Sequence, residues 1–224
     1  TPALVYFYFA VCGFSKSSWR IAFTLLVPFI LGLSVYLFLP VRGAGFPYMN
    51  WGNPIDLEKI FWHISGKQYR VWIFSSTESA VKQFSYFINE LPNEFNYVFL
   101  IVALLGLWNI LTKNRRLFIF SLLLFVGCIS YSINYDIHDI DSYFLLAYLT
   151  IALCVTFGVR WILEKMEKIE VLKVVSAVLA VISIIPLSIN YKQNDESKNY
   201  LVDDYTKNMF NCIEPNGIII SYQW

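Results

Sequence analysis

The chain reads as an all-α integral membrane protein: a polytopic helix bundle of about six spans, an outer loop of amphipathic helices and the start of a C-terminal extramembrane domain. Three observations predict this. Ile21 to Leu39, Leu117 to Ile133 and Tyr143 to Val159 run without a charge, and Val171 to Ile189 is broken only by Lys173. At about 1.5 Å per residue, roughly 20 apolar residues cover a hydrocarbon core of about 30 Å. Hydrophobic residues make up 57% of the chain and charged ones 15%, with a mean hydropathy of +0.54, whereas soluble domains carry about 25% charged residues. Finally, the basic residues of the short links all fall on one side of the spans.

The first stretch, 1–13, is apolar and reads as a span cut short at its start. Spans follow at 21–39, 95–111, 117–134, 143–159 and 171–189. If they alternate, Lys16 and Arg20, then Lys113, Arg115 and Arg116, then Arg160, Lys165, Lys168 and Lys173 share one face. The opposite short link, Tyr135 to Ser142, has no Lys or Arg. Basic short loops mark the cytoplasmic side. Loop 40–94, link 135–142 and tail 191–224 are therefore expected to be extracytoplasmic. Pro28 and Gly32 in the second span and Pro186 in the last suit membrane helices whose neighbours re-satisfy the backbone, and Pro28 predicts a kink. Cys12, Cys128 and Cys154 lie in apolar runs as small core residues, Cys212 stands alone, and no disulfide framework is implied. A net charge of +1 gives no field that would attract nucleic acid.

Loop 40–94 is too patterned for a plain connector. It opens with Pro40-Val41-Arg42-Gly43 at a span end, and Phe46 to Asn53 reads FPYMNWGN. Asn53 suits a helix cap, with Pro54 at the first helical position. Leu57, Ile60, Phe61 and Ile64 follow at helical spacing, and Gly66 suits a stop. Lys67-Gln68-Tyr69-Arg70 and Val71-Trp72-Ile73-Phe74 come next. A second amphipathic helix is then expected, capped by Thr77, striped by Val81, Phe84, Ile88 and Leu91, and ended by Pro92. Arg42, Lys67 and Arg70 are residue types that grip phosphate. Trp51, Tyr69 and Trp72 are types that stack on a sugar ring or an isoprenoid. The same residues suit headgroup snorkelling and an interfacial aromatic belt, and composition alone favours that reading. His63, alone on a polar helix face, reads as solvated.

The link YDIHDIDS packs Asp136, His138, Asp139 and Asp141 between two spans. Carboxylates and an imidazole at this density suit a divalent cation or a general base. They equally suit the solvated end of a helical hairpin, with Asp141 or Ser142 capping the next helix. No HExxH, GxSxG, P-loop or paired CxxC is present.

Asn50-Trp51-Gly52-Asn53-Pro54, Gly66-Lys67-Gln68-Tyr69, YDIHDIDSYFL from Tyr135 to Leu145, and the tail NYLVDDYTKNMFNCIEPN with the strand-like Gly217 to Tyr222 together carry a resemblance. In this order the chain resembles a bacterial multispanning domain-of-unknown-function family. That family also includes the eukaryotic transmembrane protein O-mannosyltransferase acting on plexin-type domains. The resemblance implies a GT-C fold, a bacterial inner-membrane location, a polyprenyl-phosphate sugar donor and a protein or glycan acceptor. It makes Arg42, Trp51, Asn53, Lys67, Gln68, Tyr69 and Arg70 candidates for holding the donor phosphate or ordering the cleft. It makes Asp136, His138, Asp139 and Asp141 candidates for the acceptor or metal side. In GT-C enzymes the catalytic carboxylate lies in the first outer loop. The chain, starting in an apolar run, is therefore expected to be a fragment without its base. A transporter or flippase would instead predict charges within spans and broken helices in repeated halves. A non-catalytic envelope assembly protein would depend on its apolar faces alone.

Overall fold

The computed structural model describes residues 2–48, 50, 52–214 and 217. Among these the chain is helical, with one isolated antiparallel bridge, Ile73 to Tyr135, and no named strand. It divides into two compact units, Thr1–Lys173 and Val174–Trp224.

The first unit begins with α1 (Pro2–Cys12) and α2 (Lys16–Leu33), joined by a tight turn. Ser15 caps α2 by accepting from Ser18 N at 3.1 Å, and Ser18 Oγ donates to the Cys12 carbonyl at 3.0 Å. Tyr8 Oη donates to the Ser18 carbonyl at 2.7 Å, and Phe9 packs on Trp19. Helix α2 continues through Pro28. The helical register instead tightens to a 3₁₀ turn at Ser34–Leu37, six residues on, before α3 (Phe38–Ala44). The chain thus stays helical past Pro40, and Arg42 stands in the last turn of α3 rather than after a span end.

Helix α4 (Leu57–Ile64) forms where the spacing predicts, but its cap is Asp56, whose Oδ1 accepts from Lys59 N at 2.8 Å. Asn53 has a positive φ of 43° and its Oδ1 accepts from Asn50 Nδ2 at 2.8 Å, so its side chain is already spent. Gly66 takes a left-handed φ of 59° and starts a 3₁₀ turn at Lys67–Trp72.

Helix α5 (Thr77–Lys113) is 37 residues long, about 55 Å, and exceeds a hydrocarbon core. Ser76, not Thr77, caps it, accepting from Ser79 N at 3.0 Å. Pro92 does not end it. The break falls at Asn96, with φ 51° and ψ 164°, where Oδ1 accepts from Phe99 N at 3.1 Å and so caps the apolar half. Asparagine tolerates this backbone and serves as a cap, so it starts a new helix where proline only loses one bond.

Helix α6 (Arg115–Ser132) follows a one-residue turn capped by Asn114. After the link comes a 3₁₀ turn at Ile140–Phe144 and then α7 (Leu145–Glu164). Helices α5 and α7 pack backbone to backbone. A methyl on Gly106 would sit 1.8 Å from the Cys154 carbonyl oxygen, and one on Gly158 2.0 Å from that of Val102. Small residues permit such an approach between membrane helices, where dispersion and close packing replace the hydrophobic drive. Ala103, Ile110 and Cys154 are buried in this seam. At its other end Phe87 is 1% exposed and stacks against Phe144 and Tyr148. Cys128 and Cys154 are buried as expected; Cys12, at the end of α1, is exposed.

In the second unit, α8 (Ile169–Asn194) continues from the first, and an amphipathic α9 (Leu201–Asn211) follows. The strand expected at Gly217 to Tyr222 lies, apart from Gly217, outside the described residues. Among the described residues, five helical stretches are long and apolar enough to cross a membrane: Lys16–Ala44, Thr77–Lys113, Arg115–Ser132, Ile140–Glu164 and Ile169–Ser188. The first of the six expected spans is the 11-residue α1. It covers about 17 Å, well short of a hydrocarbon core.

Candidate functional site

One end of the first unit joins the segment 67–75 of loop 40–94 to the link 135–142. Its foundation is the buried face of the N-terminal half of α5: Ser79, Gln83 and Phe87. Of the apolar stripe on this half, Val81, Phe84 and Ile88 are exposed and Leu91 is half-buried. The polar character of the buried face has a physical reason. The buried neighbour of this half-helix is a polar link with free carbonyls, which an amide satisfies and a leucine does not. Gln83 Nε2 donates to the Ile137 carbonyl at 3.0 Å, and Gln83 is 3% exposed. One turn on, Tyr86 Oη donates to Asp141. Asp141 therefore does not cap α7; its partner is a tyrosine of α5.

The segment after Lys67–Trp72 is sewn to the link by backbone bonds. Phe74 N donates to the Asn134 carbonyl at 2.7 Å, and Asp136 N to the Trp72 carbonyl at 2.9 Å. Ser75 Oγ donates to Asp136 Oδ2 at 3.3 Å. Thus the Lys67–Arg70 turn and the Asp136–Asp141 link, 66 residues apart at Arg70 and Asp136, form one wall. Aromatic rings face it. Tyr69 and Trp72 are 5.9 Å apart, Tyr135 and Tyr143 5.0 Å, and Tyr131 and Tyr143 6.2 Å. Burial, and then the neighbouring phenols of Tyr143, Tyr131 and Tyr69, push the Tyr135 hydroxyl up to about 12. It stays a neutral donor.

The individual candidates are placed unevenly. Lys67 Nζ lies 3.2 Å over the Trp62 ring, a cation–π contact that ties the turn to α4. Gln68 is half-buried, while Tyr69 and Arg70 are exposed. Arg42 is exposed beside Gly43, which is buried under Ile55 and Asn50. Arg42 and Asn53 therefore share a local fold of α3 against residues 50–55. The described contacts join neither to the Lys67–Arg70 turn. Trp51 lies outside the described residues. Asp136, His138, Asp139 and Asp141 are all exposed, and among the described residues no three His, Cys, Asp or Glu side chains are placed to hold a metal ion.

Below the wall, a groove of about 540 Å³ runs between α1, α6 and α7. Leu123, Val126, Cys128 and Leu146 line it, as do Tyr131 and Tyr143. Sequence reasoning missed Gln83, Tyr86, Tyr131 and Tyr143. Polar residues at 79, 83, 86 and 90 repeat with helical spacing and signal a second, polar face on that half-helix. No protein-family model matches the chain, and neither does any curated protein or solved structure.

Proposed function

We propose that the chain forms the outer, donor-binding part of a membrane glycosyltransferase of GT-C type. It transfers a sugar from a polyprenyl-phosphate donor to a protein or glycan acceptor on the extracytoplasmic face of a bacterial inner membrane. The observation that supports this best is the junction of segment 67–75 with link 134–136. It brings a basic, aromatic turn and an acidic link together at the end of an apolar groove. An isoprenoid chain fits the chemistry of the groove, and aromatic faces suit a sugar ring. Arg70, with Lys67 if it leaves the Trp62 ring and Arg42 if α3 folds toward the turn, supplies cations of the kind that bind phosphate. In the reaction an acceptor hydroxyl oxygen bonds to the sugar anomeric carbon and loses its proton to a base. The bond from that carbon to the phosphate oxygen breaks, and polyprenyl phosphate leaves. Cations near the leaving phosphate stabilise its developing charge. No residue of this chain is assigned as the base.

The test is incubation of the protein, expressed from its complete gene, with labelled polyprenyl-phosphate sugars, scoring release of polyprenyl phosphate. Arg42→Ala and Lys67→Ala should each lower turnover by about tenfold or more, the effect of losing a charge-assisted contact. Unchanged turnover in both variants would remove this placement of the donor.

A further inference from the structure

At the opposite end of α5 and α7 from the wall lies a second, unassigned pocket of about 230 Å³. Asn109, Lys113, Asn114, Phe157, Arg160 and Glu164 line it. Asn109 stands one turn inward from Lys113 on the buried face of α5 and is 7% exposed. Its backbone carbonyl accepts from Thr112, but among the described residues its side-chain amide has no hydrogen-bond partner. The amide is not sealed in protein, so it is open to a ligand in the pocket. Here the amide lines a pocket rather than a helix seam.

The rim of the pocket is ionic. Arg160 Nε donates to Glu164 Oε1 at 2.7 Å, and Lys113 Nζ lies 3.8 Å from Glu164 Oε2. One carboxylate thus faces two cations, so the rim keeps a net positive charge. The Arg160 contact uses Nε alone, and a guanidinium has five N–H donors in a fork that matches a phosphate. Arg160 and Lys113 side chains are 71% and 62% exposed, so they are free to turn toward a ligand. Phe157 gives the pocket an apolar wall.

We infer that this pocket binds a phosphate group, held by Arg160 and Lys113 at the rim and by the Asn109 amide beneath. The phosphate comes either from the headgroup of an anionic phospholipid or from free phosphate. The site is independent of the glycosyl-transfer reading, since it uses none of the same residues.

The experiment titrates the detergent-purified protein with dioleoylphosphatidylglycerol by native mass spectrometry, and in parallel with inorganic phosphate by equilibrium dialysis. Lys113→Gln and Arg160→Gln should each weaken binding about fivefold, as expected for one interfacial cation. Asn109→Leu should weaken it while leaving the thermal midpoint unchanged or raised. Glu164→Gln, which releases both cations, should tighten it. Arg20→Gln and Lys168→Gln, basic residues that do not line the pocket, should change nothing. Binding of the phospholipid alone identifies a headgroup site; binding of inorganic phosphate with the same losses identifies a free-phosphate site. Equal losses in Arg20→Gln and Lys168→Gln would reduce the effect to general surface charge and overturn the inference. So would unchanged binding in Arg160→Gln, which is exposed enough to leave folding intact.

Discussion

The α5–α7 seam and the Lys16–Ala44 stretch are both apolar and both long enough to span a bilayer, yet they are built oppositely. In the seam, a third of the most apolar window of α5 is buried, and two glycines let carbonyl oxygens approach within van der Waals contact. In Lys16–Ala44, none of the corresponding window is buried. Hydropathy does not distinguish them: the unburied stretch scores 2.3 and α5 scores 1.9. What separates them is the placement of small and polar residues. Gly106, Cys154 and Gly158 line up across the seam, whereas Leu, Phe and Val cover α2 on all sides. In a membrane, lipid is as good a neighbour as leucine, and only small or polar residues specify a protein neighbour.

The comparison is broken most severely at its closest point. Gly158→Ala or Gly106→Ala places a methyl where a carbonyl oxygen already stands, so the helices must part. A loss of more than about 3 kcal/mol is expected, measured as the midpoint of unfolding in a dodecyl sulfate titration; an unmoved midpoint would show that the glycines do not close the seam. A smaller effect is expected for Gln83→Leu, which leaves the Ile137 carbonyl unsatisfied. It should cost about 1–3 kcal/mol and speed hydrogen exchange at the amides of residues 135–141. If exchange there stays slow, the link is held by other contacts.

Smaller still is the response of α4 to acid. The Lys59 and Glu58 amides, with the Lys59 ammonium, hold the Asp56 carboxyl below its ordinary value. A depressed carboxylate stabilises the fold above its unfolded pKa, and that stability fades as pH falls through the folded one. Protection of α4 amides should therefore decline on acidification below the ordinary carboxylate range, and Asp56→Asn should flatten the dependence. The smallest change sharpens the other half of the comparison. Leu31→Ala, 65% exposed on α2, should shift the unfolding midpoint by no more than about 0.5 kcal/mol.

Much of this arrangement was legible in the sequence. Helical spacing located α4, charge-free apolar runs located α6 and α7, and the turn chemistry of Gly66 appeared where its left-handed backbone was needed. The cap of α4 is Asp56 rather than Asn53, three residues away, and that of α5 is Ser76 rather than the adjacent Thr77, because these residue types have nearly equal capping strength. Pro92 is expected to end the second amphipathic helix, but the break falls at Asn96, where an asparagine able to cap a new helix interrupts α5 more than the proline does. The polar contacts of the N-terminal half of α5 were illegible for a different reason. An apolar stripe does not reveal that the opposite face meets a link whose carbonyls demand donors, as Gln83 does at Ile137. The contact between segment 67–75 and residues 134–136 arises from backbone groups, which leave no trace in side-chain pattern.

That stitching has a mechanical corollary. With Trp72, Phe74 and Ser75 bonded to Asn134 and Asp136, the roof over the α1–α6–α7 groove is a fixed lintel. Along the sides, α1 meets α6 through ring contacts such as Phe7 on Phe120 at 4.6 Å. Two sides of the groove are thus closed by fixed contacts, the stitched link at one end and the α1–α6 ring contacts along its length.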